Sequence, residues 1–162
     1  MITVSAPGKI HLLGEHAVVY GRPAILATVN LRVKVTITPA ARKTGSNLPK
    51  LRRIIEPIVK ENVGLKKIPP YNLEIKSDLP TGCGLGSSAA VSAAYIGALL
   101  SFVKVRWDLE LVNTLTYQAE KVFHGNPSGG DNSTIINGGL VFFKKDSSGE
   151  RSIKLLNFTI PK

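Results

Sequence analysis

From Gly82 to Gly86 every second residue is glycine, and the run passes directly through Ser87 and Ser88 into an apolar stretch rich in alanine. A chain containing this segment has to place a loop of high backbone freedom at the start of a buried helix. Glycine reaches positive φ and lets backbone N–H groups approach a ligand, while a helix start adds free amides and the positive end of its dipole. The segment Pro80 to Ala90 therefore reads as a phosphate cradle suited to an ATP triphosphate. Its spacing is neither that of a P-loop nor a clean dinucleotide fingerprint, and an ordinary tight loop before a helix is the plainer alternative.

Composition narrows the partners. With 162 residues, 43% of them hydrophobic, the chain is long enough for one domain with a real core. The single cysteine, Cys83, excludes an internal disulfide and makes a reducing, cytoplasmic compartment the default. The first residues lack a basic, apolar leader and no run of about 18 apolar residues occurs, so neither secretion nor a membrane is expected. The formal charge of +10, densest at residues 50–53, favours anions in general. No Arg-rich tract interleaved with aromatics accompanies it, so a solvated basic surface is preferred to a nucleic-acid interface, with phosphorylated metabolites as the other candidate.

The pattern predicts an α+β domain. Residues 2–13 read as one or two strands around a Pro7-Gly8 turn and 24–29 as another. Leu31, Val33, Val35 and Ile37 alternate with polar residues as a strand with one buried face. A polar stretch over 39–49 precedes a helix near 51–59, which Pro57 should kink or shorten. A strand around Leu73 and Ile75 follows, then helices over 88–103 and 108–123, the second capped by Asp108. Residues 125–130 break the pattern; a short helix or turn after Asp131 leads to strands near 140–144 and 152–159.

Three motifs carry chemistry. In Pro7 to Gly21, strand alternation puts Lys9, His11 and Leu13 on one face, and the Gly14 bend presents Glu15 and His16 at the strand's end. A lysine there can stabilise charge on a transferring phosphoryl group, and an edge strand with ordinary polar residues is the alternative. In the Gly-rich loop, the Ser87 and Ser88 hydroxyls can ligate Mg²⁺ or simply cap the helix. In Glu120 to Asn132, Glu120 and His124 share a helical face before a tight polar loop and Asp131, so one carboxylate can serve a metal while the other takes a proton. The histidine spacing gives no support for zinc.

Pro7-Gly8-Lys9, Gly14-Glu15-His16-Ala17-Val18 and Pro80-x-Gly82-x-Gly84-Leu85-Gly86-Ser87-Ser88-Ala89 together resemble the first two motifs of the GHMP kinases. Within that family, His124-Gly125-Asn126-Pro127-Ser128-Gly129-x-Asp131-Asn132 is similar to the mevalonate kinases. The resemblance spans nearly the whole chain and implies a GHMP kinase N-terminal domain with the ribosomal S5 domain 2-like fold. It implies Asp131 as general base and Lys9 as the cation that lowers the pKa of the substrate hydroxyl and meets the γ-phosphate. By the same resemblance Ser88 and Glu120 match the Mg²⁺ ligands, and Pro80, Gly82, Gly84, Leu85, Gly86, Ser87, Ser88 and Ala89 wrap the phosphates of ATP. The resemblance further implies that Glu15 and His16 line a pocket for mevalonate and that the product is 5-phosphomevalonate.

Two departures shape the expectations. Gly130 stands where the family usually has an apolar residue, implying a more flexible loop before Asp131. Family members also continue into a C-terminal domain with a third Gly-rich motif, so a fragment, a separate C-terminal half or a homodimer is expected. Phosphomevalonate kinase is the neighbouring enzymatic reading, and a non-catalytic anion-binding module is the reading from another class; the joint presence of Lys9, Glu120 and Asp131 speaks against the latter.

Overall fold

The computed structural model describes residues 1–41, 48–80, 82–146 and 148–157. Residues 42–47 of the expected polar stretch, and 158–159 of the expected last strand, lie outside the described residues. The element order is β1 (Ile2–Leu13), a single 3-10 turn (Val18–Tyr20), β2 (Ala24–Pro39), α1 (Pro49–Asn62), β3 (Tyr71–Ser77), α2 (Ser87–Phe102), α3 (Leu109–His124), α4 (Gly130–Asn137), β4 (Leu140–Lys145) and β5 (Arg151–Leu156). The strands form one five-stranded antiparallel sheet in the order β1-β2-β4-β5, with β3 paired to the C-terminal half of β2. This is the expected α+β architecture.

One long strand, β2, replaces the two expected over 24–29 and 31–37. Pro7 pairs with Arg32 but Gly8 pairs with Val29, so Asn30 and Leu31 bulge out without ending the strand. A bulge changes the phase of alternation. On β1, Ile2, Val4 and Ala6 join the main core before it. After it the buried phase passes to Lys9, which packs beside Gly86 and Ile135. On β2 the fully buried residues change from Val33, Val35 and Ile37 to Ala24 and Leu26. Leu31, expected on the buried face, sits in the bulge and is exposed.

The helices stack on the sheet in order of hydrophobicity. α2 is apolar all round and lies across β1 and β2, buried from Ala89 to Leu100 except for the half-buried Val91. α3 is amphipathic: Val112, Leu115, Thr116, Ala119 and Glu120 form its buried stripe, and the Asp108 carboxylate accepts from the Leu111 amide at 2.8 Å as the expected cap. α1 runs through Pro57 to Asn62 and is not shortened; Pro57 and Arg53 are both exposed, so the carbonyl left without its amide partner has water available.

Arg52 departs from the expectation of a wholly solvated basic patch. Its guanidinium lies 4.1 Å from the centre of the Tyr71 ring, donates to the Tyr71 carbonyl at 2.9 Å and stands 3.6 Å from Glu56. Tyr71 donates its hydroxyl to Glu56 Oε1 at 2.6 Å. That spends its only proton, so the buried Tyr95 hydroxyl donates to Tyr71. Burial, followed by the neighbouring Tyr95 and Glu56, holds the Tyr71 phenol well above its ordinary value, so the network stays protonated. Tyr71→Phe strands the Tyr95 hydroxyl and is expected to cost about 1–3 kcal/mol, read as a lower denaturant midpoint at unchanged m-value.

Candidate active site

The bulge that re-phases β1 builds the centre of the site. It turns Lys9 inward, where it is 3% exposed, and the Lys9 N–H donates to the Leu85 carbonyl of the Gly-rich loop at 3.0 Å. Gly8 permits this approach, since a Cβ there would fall 2.4 Å from Leu79 Cδ2 and 3.1 Å from the Leu85 carbonyl oxygen. Gly86, at φ 67°, likewise leaves room for the Lys9 stem.

From that position Lys9 Nζ reaches two partners. It pairs with Asp131 Oδ2 at 3.1 Å and bonds His11 Nδ1 at 3.0 Å. Asp131 stands in the first turn of α4 with its side chain 35% exposed, where the positive end of the helix favours a carboxylate. Asn132, next in sequence, is buried and donates to the Asn113 side-chain oxygen at 2.5 Å, fastening the start of α4 to α3. Gly130, expected to loosen this loop, is itself buried: its N–H donates to Ser128 Oγ at 3.1 Å, and a Cβ would lie 3.3 Å from Phe143.

A second polar group lies between α2 and α3. The buried stripe of α3 ends in Glu120, 4% exposed, whose Oε1 accepts from Ser88 Oγ at 2.6 Å. His124 Nε2 stands 3.3 Å from Ser88 Oγ and 3.5 Å from Glu120 Oε2. Burial raises the Glu120 carboxyl above the usual range and Asp131 adds to the rise, while the Ser88 bond, His124 and Lys9 pull it down. Among the described residues no group of three or more His, Cys, Asp or Glu gathers as a metal cage. The Ser88–Glu120 pair still suits Mg²⁺, which keeps several waters and takes one or two carboxylates together with phosphate oxygens.

The start of α2 faces the same space. Its N-cap is Gly86 in the left-handed region with no side-chain cap, and Ser88 spends its proton on Glu120. Among the described residues no side chain caps these amides, which leaves the first turn open to an outside acceptor, as the phosphate-cradle reading requires. Gly82 and Gly84 are exposed at φ 76° and 69°, with nothing within 4 Å of an added Cβ. Beside the cradle, Leu48, Leu51, Ile75, Leu79, Val91, Phe123 and His124 help line an open cleft of about 820 Å³.

The structure therefore brings together Lys9, Asp131, Leu85, Gly86, Ser87, Ser88, Ala89 and Glu120. Glu15 and His16 are both exposed on the turn after β1, Glu15 approaching no nearer than 4.0 Å to His11 Nδ1. The sequence reading did not single out His11 as a site residue. Its signal was present in the alternation that set it on the face of Lys9.

Comparison with known proteins gives the family and the fold. The profile of the GHMP kinases N terminal domain matches residues 50–139. A mevalonate kinase of Archaeoglobus fulgidus is 37% identical over 95% of the chain and 57% of its own length, and that of Bos taurus is 31% identical over 100% and 60%. The crystal structure of the Methanococcus jannaschii mevalonate kinase superimposes with a TM-score of 0.83 at 24% identity, covering 97% of this chain and 56% of its own. The chain thus spans less than two thirds of the length of the relatives it matches. A match over more than half its residues, on the fold and site just described, makes this chain a member of the GHMP kinase family.

Proposed function

We propose that the chain carries the site of an ATP-dependent mevalonate kinase, transferring the γ-phosphoryl group of ATP to the primary hydroxyl of mevalonate to give 5-phosphomevalonate and ADP. The observation that carries the reading is the Lys9–Asp131 pair set beside an uncapped helix start. A carboxylate, a buried cation and free amides are what in-line phosphoryl transfer asks of a protein.

The distances support the following roles. Asp131 takes the proton of the attacking hydroxyl on its exposed edge. Lys9 has three N–H donors; Asp131 and His11 use two, leaving one for an oxygen of the transferring group. The oxygen–phosphorus bond to the acceptor forms as the bond to the departing ADP breaks. The amides at the start of α2 and of the Gly-rich loop hold the phosphates, and the apolar cleft beside them suits the base. Ser88 and Glu120 would hold Mg²⁺, which when bound would neutralise phosphate charge. Glu15 and His16, at the open rim, face the acceptor.

Transfer to an alcohol rather than water needs a closed site, and these groups are open on the side of Glu15, His16 and Gly82 to Gly84. The reading therefore includes a covering unit, either a C-terminal half or a second copy of the chain. It also places the enzyme in the cytoplasm, in keeping with its single cysteine.

The test is ADP release with Mg-ATP and mevalonate, beside phosphomevalonate, galactose and homoserine, with calorimetric ATP binding on the same sample. Mevalonate-dependent turnover is the expected result where the covering unit is present, and ATP binding without turnover is the result for the chain without it. Preference for phosphomevalonate, or no nucleotide binding at all, would overturn the assignment.

A further inference from the structure

His11 lies between the two groups on which the proposed transfer depends, and its protonation follows from its neighbours. An ammonium only donates, so the 3.0 Å contact from Lys9 Nζ makes His11 Nδ1 an acceptor. The neutral ring then carries its proton on Nε2. That atom is buried without a hydrogen-bond partner, and the nearest acceptor recorded for it is Asp131 Oδ1 at 4.0 Å. A buried N–H left unpaired is costly, so an arrangement that brings the carboxylate about 1 Å closer, into hydrogen-bond range, is favoured. Asp131 has the freedom to make that move, being one third exposed.

We infer that His11 is a positioning residue. It fixes Lys9 through Nδ1 and, as substrate binds, takes Asp131 Oδ1 through Nε2–H, aiming the other carboxylate oxygen at the acceptor hydroxyl. As Lys9 turns its charge toward the transferring group, His11 keeps the base from following it. The inference deepens the kinase reading and rests on it.

The charged surroundings agree. Burial and Lys9 push the His11 imidazolium down from its ordinary value and His16 adds to this, while Asp131 and Glu15 pull it up; the net direction is down. The ring is accordingly neutral at pH 7. Protonation of Nδ1, which burial and Lys9 push to lower pH than for an ordinary imidazole, removes the acceptor for Lys9 and gives turnover an acid limb belonging to His11.

Two measurements test this. Nitrogen-15 NMR of the imidazole in the intact chain reads the tautomer without needing turnover: an Nε2-protonated neutral ring at pH 7 is expected, and an Nδ1-protonated or charged ring would overturn the inference. In turnover, His11→Asn keeps an acceptor near the Nδ1 position and loses the Nε2 donor, whereas His11→Leu loses both. A fall in kcat of about tenfold for His11→Asn and about a hundredfold for His11→Leu is expected, the span typical of residues that orient reacting groups, with KM for ATP nearly unchanged. Both variants should also lose the His11 acid limb. Wild-type kcat and pH profile in both would sink the role, whereas failure of the wild type, with its covering unit present, to phosphorylate any acceptor would sink the kinase reading and leave the tautomer to decide on His11.

Discussion

Asp131→Asn lowers turnover by about 10²–10⁴-fold, the range for losing a general base, while nucleotide affinity stays within a modest factor. The asymmetry follows from where the charge sits. Asp131 faces the acceptor and its Oδ2 holds Lys9 at 3.1 Å, whereas the amides that hold phosphates belong to α2 and its preceding loop. An amide at this position still accepts from Lys9 but cannot take a proton from the substrate. Lys9→Met is expected to reach a similar loss by another route, removing the cation that compensates charge on the transferring group. Steady-state rates beside calorimetric ATP binding separate the two effects. Unchanged phosphorylation by either variant would remove the assigned role, and equal loss of binding and turnover would mark a structural defect instead.

The sequence was most legible where one physical signal acted alone. Val33, Val35 and Ile37 alternate with polar neighbours and are fully buried, and Asp108 caps α3 as its position before an apolar stripe predicts. The Gly-rich loop and the uncapped α2 start were also legible, because glycine takes that backbone without strain and the Gly86 cap carries no side chain to bond the amides.

Signals that depend on the partner strand were hidden. Asn30-Leu31 looks like a break because a bulge is defined by register, and register belongs to two strands. Alternation counted from Ile2, Val4 and Ala6 would send Lys9 and His11 to the other face; the shift after Pro7 brings them inward, and only the motif pointed there. Arg52 reads as one more surface cation until Tyr71, 19 residues later, gives it a ring to cover and a carbonyl to bond. His11 was missed for the same reason: its chemistry comes from Lys9 and Asp131 meeting it across two elements.

That dependence on close approach makes Gly86→Ala the small substitution expected to act most directly on Lys9. At φ 67° alanine pays about 1–2 kcal/mol for the left-handed conformation alone. Its Cβ would also lie 2.9 Å from Lys9 Cγ and 3.1 Å from Lys9 Cε, with Ile135 Cδ1 at 3.3 Å behind. A free lysine stem would swing aside at little cost. This one is tied at both ends, by its N–H to Leu85 and by Nζ to Asp131 and His11, so relief comes only by breaking one of those bonds. A displacement near 1 Å at a reacting group costs about 10²-fold, and turnover should fall by that order on top of the stability loss. Gly84→Ala supplies the contrast: at φ 69° it meets nothing within 4 Å, so it pays the backbone cost while Lys9 stays in place. The unfolding temperature should fall in both variants, somewhat further in Gly86→Ala, and kcat should fall much further in Gly86→Ala. Equal kcat in the two would show that the left-handed turn, rather than the room it leaves for Lys9, is what the third glycine provides.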